Sequence, residues 1–449
     1  MLYAILRFLF KITGRVFFSN ITIRNKELIP RSGPLIVVAN HPSAFMDPIV
    51  IATIFERNLY FLGKGILFKS KLGKWILPKF NTIPIYRRAD DPSEMNKNED
   101  TFRTCYQYLE KGAAILIFPE GITKTERKLG ELKTGAARIA LGAEAKNNFK
   151  LNVQIITVGL NYANPHKFNR GLFINIAQPI SISTFQNEYE TDNVNSVLKV
   201  TEMIKVQLEQ NIIAIGDQKI DELSRDIEYL YKYKLVRDWG DDQHSGFLLT
   251  KNIIAAVTYF INTEPLRAEK MAIRIKQYLR NVAATGLKDE HLILEDKKKM
   301  SLGKIIFSLI GIIVGLPFFI YGFINNILPF IIPGWIAAKV ASRKEFIGSI
   351  GMAMGLLTFI IFYTLQIILV GKFFDHFWIT LFYALSLPVS GLYAFGYFHT
   401  IKKIKARWLL LYIFNKKSVF IANLIAEREN IIAEFDIARA EFAAYRETK

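Results

Sequence analysis

The sequence predicts an α/β fold: a mixed, mostly parallel sheet flanked by helices, with a helical insert and a C-terminal transmembrane hairpin. Three observations predict it. Between residues 21 and 215, short Ile- and Val-rich runs bounded by Gly, Pro or Asn alternate with helix-like stretches, the texture of buried strands with helices packed on them. Residues 216–300 hold no such run and are dense in mixed charge. Residues 347–370 are 24 consecutive uncharged residues, enough for a helix that crosses a bilayer.

The first twenty residues are apolar except for Arg7, Lys11 and Arg15, which recur every fourth position and so share one helical face. This predicts an amphipathic membrane-interface helix over 1–20, with cations toward the headgroups. A secretory signal is not expected, because Lys11 and Arg15 break the apolar run and no small-residue cleavage site follows. In the domain over 21–215, strands are expected at 34–39, 82–86, 113–118, 153–160 and 172–177, with helices near 98–111 and 133–146. The segment 216–300 reads as a helical insert.

A membrane region follows over 301–400. Residues 305–335 are apolar but interrupted by Pro317, Asn325, Asn326, Pro329 and Pro333, whereas 347–370 and 377–397 are clean spans. Basic clusters precede the first stretch (Lys297, Lys298, Lys299, Lys304), follow it (Lys339, Arg343, Lys344) and follow the last span (Lys402, Lys403, Lys405, Arg407). The bias of Lys and Arg toward the cytoplasm places all three clusters, and the catalytic domain with them, on that face. The expectation is therefore a hairpin of two spans, with 305–335 re-entering or crossing twice. A basic flank and a cytoplasmic helical tail complete the chain over 401–449.

Composition agrees with this reading. Of 449 residues 51% are hydrophobic, the mean hydropathy is +0.19, and 58 Lys and Arg against 40 Asp and Glu give a net charge of +18. An anionic partner is implied. The surplus flanks the apolar segments instead of lining an aromatic-interleaved groove, which favours phospholipid or phosphorylated substrate over nucleic acid. The one cysteine, Cys105, excludes an internal disulfide and multi-cysteine metal sites, and its helix-like surroundings make it a poor nucleophile. His244, His291, His376 and His399 have no partners at ligand spacing, so no metal is expected, and His166 reads as a loop residue. No phosphate-binding glycine motif follows a strand, so no nucleotide cofactor is expected either.

The candidate chemistry lies at strand ends. After the first strand comes NHPSAFMDP, from Asn40 to Pro48, with His41 and Asp47 six residues apart. Six residues turn 240° on a helix, so the two side chains can meet only across a strand-to-helix turn. After the second come Arg87 and Arg88; after the third, FPEGIT from Phe118 to Thr123, with Glu120, Gly121 and Thr123; after the fourth, Asn161. Ligands of α/β sheets bind at the carboxyl ends of strands. A His–Asp pair that deprotonates a hydroxyl, an arginine that clamps an anion and a turn rich in backbone N–H groups suit an alcohol bearing a phosphate. Lys64 and Lys133 are further candidates for holding phosphates, against the plain reading as solvated lysines.

These blocks, in this order over residues 34–162, resemble the glycerophosphate (PlsC-like) acyltransferase superfamily. The five residues between His41 and Asp47, the run IPIYRRAD from Ile83 to Asp90, the run GKGILF from Gly63 to Phe68 and the C-terminal spans are similar to its glycerol-3-phosphate and dihydroxyacetone-phosphate acyltransferase branch. The resemblance covers residues 20–215. It implies a membrane-bound O-acyltransferase that moves a fatty acyl group from acyl-CoA or acyl carrier protein, as co-substrate, to glycerol 3-phosphate. Lysophosphatidate (1-acylglycerol 3-phosphate) and dihydroxyacetone phosphate are alternative acceptors. It further implies His41 as general base, Asp47 as its orienting partner, Arg87 on the acceptor phosphate, and Glu120, Gly121 and Thr123 around the acceptor. An inert lipid-binding scaffold and a small transporter are the readings from other classes.

Overall fold

The computed structural model describes residues 2–87, 90–123, 127–239, 243–293, 302–416 and 418–448. The chain divides into two compact units, Met1–Gly216 with Gly334–Met354, and Asp217–Pro333 with Gly355–Lys449.

Among the described residues, the first unit is built on eight strands. They are β1 (Phe18–Arg24), β2 (Leu35–Ala39), β3 (Leu59–Lys64), β4 (Thr82–Ile85), β5 (Ala114–Ile117), β6 (Gln154–Tyr162), β7 (Arg170–Ile176) and β8 (Ile180–Ser181). Around them lie helices α1 (Leu2–Phe17), α2 (Met46–Ile54), α3 (Lys71–Ile76), α4 (Asn98–Glu110), α5 (Gly135–Lys146), α6 (Gln186–Thr191) and α7 (Asn193–Asn211). The sheet order is β1-β7-β6-β2-β5-β3-β4, with β8 beside β6. All pairings are parallel except β6 with β7 and β6 with β8, so the sheet is mixed and mostly parallel as expected.

Strand alternation sorts the core. In β2, Ile36 and Val38 face a core shared with α4, α5 and α7, while Leu35, Val37 and Ala39 face one shared with α1 and α2. Both faces of β2 are covered, which is why its run is uninterruptedly apolar. Its neighbours on either side are β5 and β6 (Val38 opposite Ile117, Ala39 opposite Val158), so the loops that leave these three parallel strands emerge side by side.

Three strands escaped the sequence reading. β1, β3 and β8 are short, edge or half-buried, and carry polar residues that break the apolar run. Because β1 begins at Phe18, the helix expected over 1–20 ends at Phe17 and leads straight into the sheet. Its surface is divided between two tasks. Phe10 and Phe17 pack on the domain core, whereas Ile5, Phe8, Ile12 and Val16 remain exposed along one stripe.

The second unit is helical: α8 (Gln218–Trp239), α9 (Gln243–Thr263), α10 (Pro265–Ala284), most of α11 (Leu302–Val340), α12 (Ile347–Phe374) from residue 355, α13 (Phe377–Lys416) and α14 (Ser418–Glu447). Insert and tail share one core, in which Leu230, Ile275 and Tyr278 meet Ile421, Leu424 and Ile431. Buried Asp289 ties them together, accepting from Tyr278 Oη at 2.6 Å and from Arg428 Nε at 2.9 Å.

Among the described residues, three helices are long and apolar enough to cross a membrane: Ile310–Val340, Lys344–Phe374 and Phe377–Lys402. The interrupted stretch 305–335, expected to re-enter or cross twice, is one hydrogen-bonded helix with three internal prolines. Its side chains and carbonyls pair with the two following helices in turn. In its first half, Ile312 O accepts from Tyr397 Oη (2.5 Å), Gly315 O from Tyr393 Oη (3.3 Å) and Asn325 Oδ1 from Tyr383 Oη (2.6 Å), so α11 rises as α13 descends. Beyond that point Asn325 O accepts from Gln366 Nε2 (2.9 Å) and Pro329 O from Thr358 Oγ1 (3.0 Å), so α11 now runs against α12. α12 and α13 are the arms of a hairpin closed at Asp375 and His376, and a straight rod cannot oppose both arms. α11 therefore bends near Asn325–Pro333. The prolines make the bend possible, since Pro329 and Pro333 leave the carbonyls four residues earlier, Asn325 O and Pro329 O, without helix donors. Gln366 and Thr358 supply the missing donors from α12.

Candidate active site

β2 ends at Ala39 and delivers His41 to the carboxyl edge of the sheet. Asn40 fixes the exit. Its side-chain amide donates to Leu160 O (3.0 Å) and its oxygen accepts from Leu160 N (2.7 Å), locking this turn to β6. The chain then turns through Ala44, whose left-handed φ of 39° is strained for a residue with a Cβ. That turn brings Asp47, in the first turn of α2, back under His41 across the five intervening residues.

His41 Nδ1 lies 2.8 Å from Asp47 Oδ2. Asp47 is fully buried, while 18% of the His41 side chain is exposed. The carboxylate has two more donors, Ser43 N–H to Oδ2 at 2.7 Å and Tyr162 Oη to Oδ1 at 2.8 Å. By accepting from Nδ1, the carboxylate fixes the imidazole tautomer, with hydrogen on Nδ1 and the lone pair on Nε2. Phe118, at the end of β5, stacks on the ring at 4.1 Å and 17°, which sets its plane.

The turn after β5 meets the same residues. Glu120 is buried; its Oε1 accepts from His41 N–H (3.1 Å) and its Oε2 from Gly130 N–H (2.8 Å). It was expected to line the acceptor pocket, yet these bonds aim its carboxylate at the backbone on both sides of the site. Glu120→Gln puts an amide N–H against one of these donors and should lower stability by about 1–3 kcal/mol, read as a drop in Tm. Gly121 has φ +67°, the left-handed region that the turn requires and that a side chain resists. Arg87, past the end of β4, donates to Gly121 O and grips Asp90 with Nε (2.6 Å) and Nη2 (2.5 Å). The guanidinium holds the Asp90 carboxyl below its usual range. Arg87 thus stands at the same edge as His41, with a carboxylate on its fork.

The remaining candidates divide. Thr123 is buried beside the turn. Lys64 closes β3, its ammonium held below the usual range by burial and then by the nearby Arg87. The exposed Lys133 side chain pairs with Glu131 at 3.1 Å, while its backbone N–H donates to Pro119 O at 2.9 Å, in the turn that carries Glu120. Arg88 lies outside the described residues. Cys105 lies on the buried face of α4 and its thiol is pushed up to about 12 by burial, which leaves it inert as a nucleophile. His166 lies in the turn between β6 and β7, and burial lowers its imidazole.

Sequence reasoning missed Tyr162 and Phe118 as parts of this site. The one available signal was position: both stand at the carboxyl ends of strands that flank β2. Burial and the adjacent Asp47 charge hold the Tyr162 phenol well above its usual range, so it stays a neutral donor. Tyr162→Phe leaves more of the Asp47 charge facing His41 and so favours the imidazolium. In a catalytic assay the acid limb of the kcat/KM profile should move to higher pH and kcat should fall about three- to tenfold. An unshifted limb would make Tyr162 a packing residue only.

Residues 20–161 match the family model described as Acyltransferase. The chain carries an acyltransferase-family domain. A chloroplastic 1-acyl-sn-glycerol-3-phosphate acyltransferase of Arabidopsis thaliana is 30% identical over 27% of this chain and 33% of its own length. Glycerol-3-phosphate O-acyltransferase 1 of Saccharomyces cerevisiae is 36% identical over 18% of this chain and 10% of its own. The chain thus spans a third or less of the length of these curated relatives. The solved structure of the 1-acyl-sn-glycerophosphate acyltransferase PlsC from Thermotoga maritima aligns with a TM-score of 0.33 and 23% identity, over 46% of this chain and 78% of that one. The His41–Asp47 pair, Arg87 and the Glu120 turn all fall inside the acyltransferase domain, whereas α8 to α14 lie beyond the matched region.

Proposed function

We propose that the protein is a membrane-bound O-acyltransferase of glycerolipid synthesis, transferring a fatty acyl group from an acyl thioester to the hydroxyl of glycerol 3-phosphate. The observation that carries this is the His41–Asp47 contact of 2.8 Å, with the carboxylate buried and held by Ser43 and Tyr162. In this reading His41 Nε2 takes the acceptor's hydroxyl proton as the oxygen attacks the thioester carbonyl. The C–S bond then breaks, and the proton passes from His41 to the leaving thiolate. Asp47 stabilises the imidazolium between the two steps. No acyl-enzyme is needed. Around the catalytic turn, the N–H groups of His41, Ser43 and Met46 are taken by Glu120, Asp47 and Ser43 O. The N–H groups of Ala44 and Phe45 are candidate donors for an oxyanion. Arg87 holds the acceptor phosphate by exchanging or sharing its bond to Asp90.

Glycerol 3-phosphate is preferred over lysophosphatidate on the five-residue spacing between His41 and Asp47; relatives of both names match. The test is transfer from radiolabelled acyl-CoA, and then acyl carrier protein, to glycerol 3-phosphate, lysophosphatidate and dihydroxyacetone phosphate by the purified protein in detergent. Turnover on one acceptor identifies the substrate. Silence on all three would move the assignment to a lipid-binding scaffold.

The same reading places α12 and α13 across the bilayer as a hairpin and makes α11 re-entrant, with the catalytic domain on the cytoplasmic face. A three-pass bundle would set α11 and α13 parallel, whereas they run antiparallel over Ile312–Asn325. Single-cysteine variants Glu269→Cys, Ser342→Cys and Asp375→Cys test this in sealed vesicles, since buried Cys105 stays silent. Glu269→Cys and Ser342→Cys should label from one side and Asp375→Cys from the other. Labelling of the first two from opposite sides would establish three passes.

A further inference from the structure

The family match ends at residue 161, yet the first compact unit also takes in Gly334–Met354, which holds the connector between α11 and α12. This connector is built into the acyltransferase domain beside the catalytic turn. Met352 is 1% exposed and belongs to the same core as Met46, Val50 and Ile51 of α2. Phe346 lies 6.0 Å, ring to ring, from Phe45, which stands between His41 and Asp47 in the chain. Gly348 passes so near Pro165 O that a Cβ has no room there, and Ser349 is buried, donating to Phe346 O at 3.1 Å.

Arg343 opens this connector. Its guanidinium is 5.9 Å from the Phe346 ring, and its Nε is 3.7 Å from Glu345. Beside it lie two more cations. Lys64 is lowered first by burial and then by the positive charges of Arg87 and Arg343, with Asp90 opposing them. Among the described residues Lys64 has no ion-pair partner within 4.0 Å. Three cations from three separate segments, β3, the loop after β4 and the connector, thus act on one another electrostatically, and the Phe346–Phe45 contact sets the connector beside the catalytic turn.

We infer that the α11–α12 connector is a wall of the active site and that Arg343 joins Lys64 and Arg87 in binding a substrate phosphate. The inference rests on the proposed acyl transfer for the identity of its substrate. Its chemistry is that of a phosphate ester, which carries up to two negative charges and three acceptor oxygens. Arg87 alone, with its fork on Asp90, cannot meet that demand; two further cations can, and a bound dianion relieves their mutual repulsion. The phosphate comes from either the acceptor or the CoA donor. A site completed by the connector ties substrate binding to the seating of the helix that leads into the membrane region.

The test varies glycerol 3-phosphate and palmitoyl-CoA independently with the full-length protein in detergent. Arg343→Gln should raise KM about tenfold for one of them with kcat within about twofold, Arg343→Lys should recover most of the loss, and Lys344→Gln should match wild type. A raised KM for glycerol 3-phosphate assigns the acceptor's phosphate to Arg343; a raised KM for palmitoyl-CoA assigns the donor's. Two unchanged KM values would overturn the inference. If the wild type transfers to no acceptor, the functional proposal fails. Equilibrium dialysis with radiolabelled glycerol 3-phosphate and CoA then decides the phosphate site: about tenfold weaker binding of either by Arg343→Gln supports it, and equal binding of both overturns it.

Discussion

Replacing His41 with alanine is expected to lower kcat by about 10²–10⁴-fold, with little change in KM for the acceptor. Among the described residues at this sheet edge, the imidazole is the candidate base, with Nε2 left to take a hydroxyl proton. Nδ1 is committed to Asp47, and Phe118 fixes the plane of the ring. The substitution removes no buried partner except the Asp47 contact, and that carboxylate keeps Ser43 N–H and Tyr162 Oη. Folding should therefore survive, and circular dichroism and Tm should stay near wild type while turnover disappears. If turnover persisted, the proton would have to leave by another route, and the assignment of His41 as base would be lost.

The second large effect is expected from Asp47→Asn. The amide matches the carboxylate in size, so it fits the fully buried site. What changes is charge and donor count. An amide offers one oxygen to His41 and Ser43 and turns an N–H₂ group toward Tyr162, whose hydroxyl must then accept. The imidazolium loses its counter-charge, and the tautomer with a lone pair on Nε2 is no longer enforced. A fall in kcat of about 10³-fold is expected, against a loss of stability of about 1–3 kcal/mol. Combining both substitutions should cost scarcely more than His41→Ala alone, because the two residues act as a unit. Additive losses in the double variant would show that Asp47 serves the fold and not the reaction.

Much of this was legible in the sequence. Runs such as that of β2 read as strands because both faces of a central parallel strand are buried, so every position is apolar. His41, Arg87 and Glu120 could be gathered on one edge because each follows such a run, and parallel strands release their loops on one side. The half-buried strands were not legible. β1 and β3 carry charged and polar residues suited to half-exposed positions, and nothing in their pattern separates them from loops. Tyr162 was invisible as a site residue for another reason: 115 positions separate it from Asp47, and only the register of β6 beside β2 brings them together.

Glu120 shows the limit most clearly. Its place in the Pro-Glu-Gly turn announced importance, but residue type alone does not tell a carboxylate facing substrate from one facing backbone. That is decided by where the loop ending at Gly130 returns. The apolar segments teach the same lesson. Composition determined that three stretches favour a bilayer over water, and that prolines interrupt the first of them. Whether those prolines end the helix or bend it depends on whether outside donors satisfy the carbonyls they release, and Gln366 and Thr358 are those donors.

By itself, then, the sequence determined the alternating α/β domain, the edge at which its chemistry lies, the His–Asp pair and the apolar segments. These are properties of local pattern, set by burial along one element at a time. The tertiary structure alone decided which strands are neighbours, that Asp47 is locked by Tyr162 and Ser43, that Glu120 turns to the backbone, and that a connector some 300 residues downstream of His41 packs beside it. Such contacts join positions far apart in the chain, and they are selected by the closing of a common core rather than by any periodicity a single segment can display.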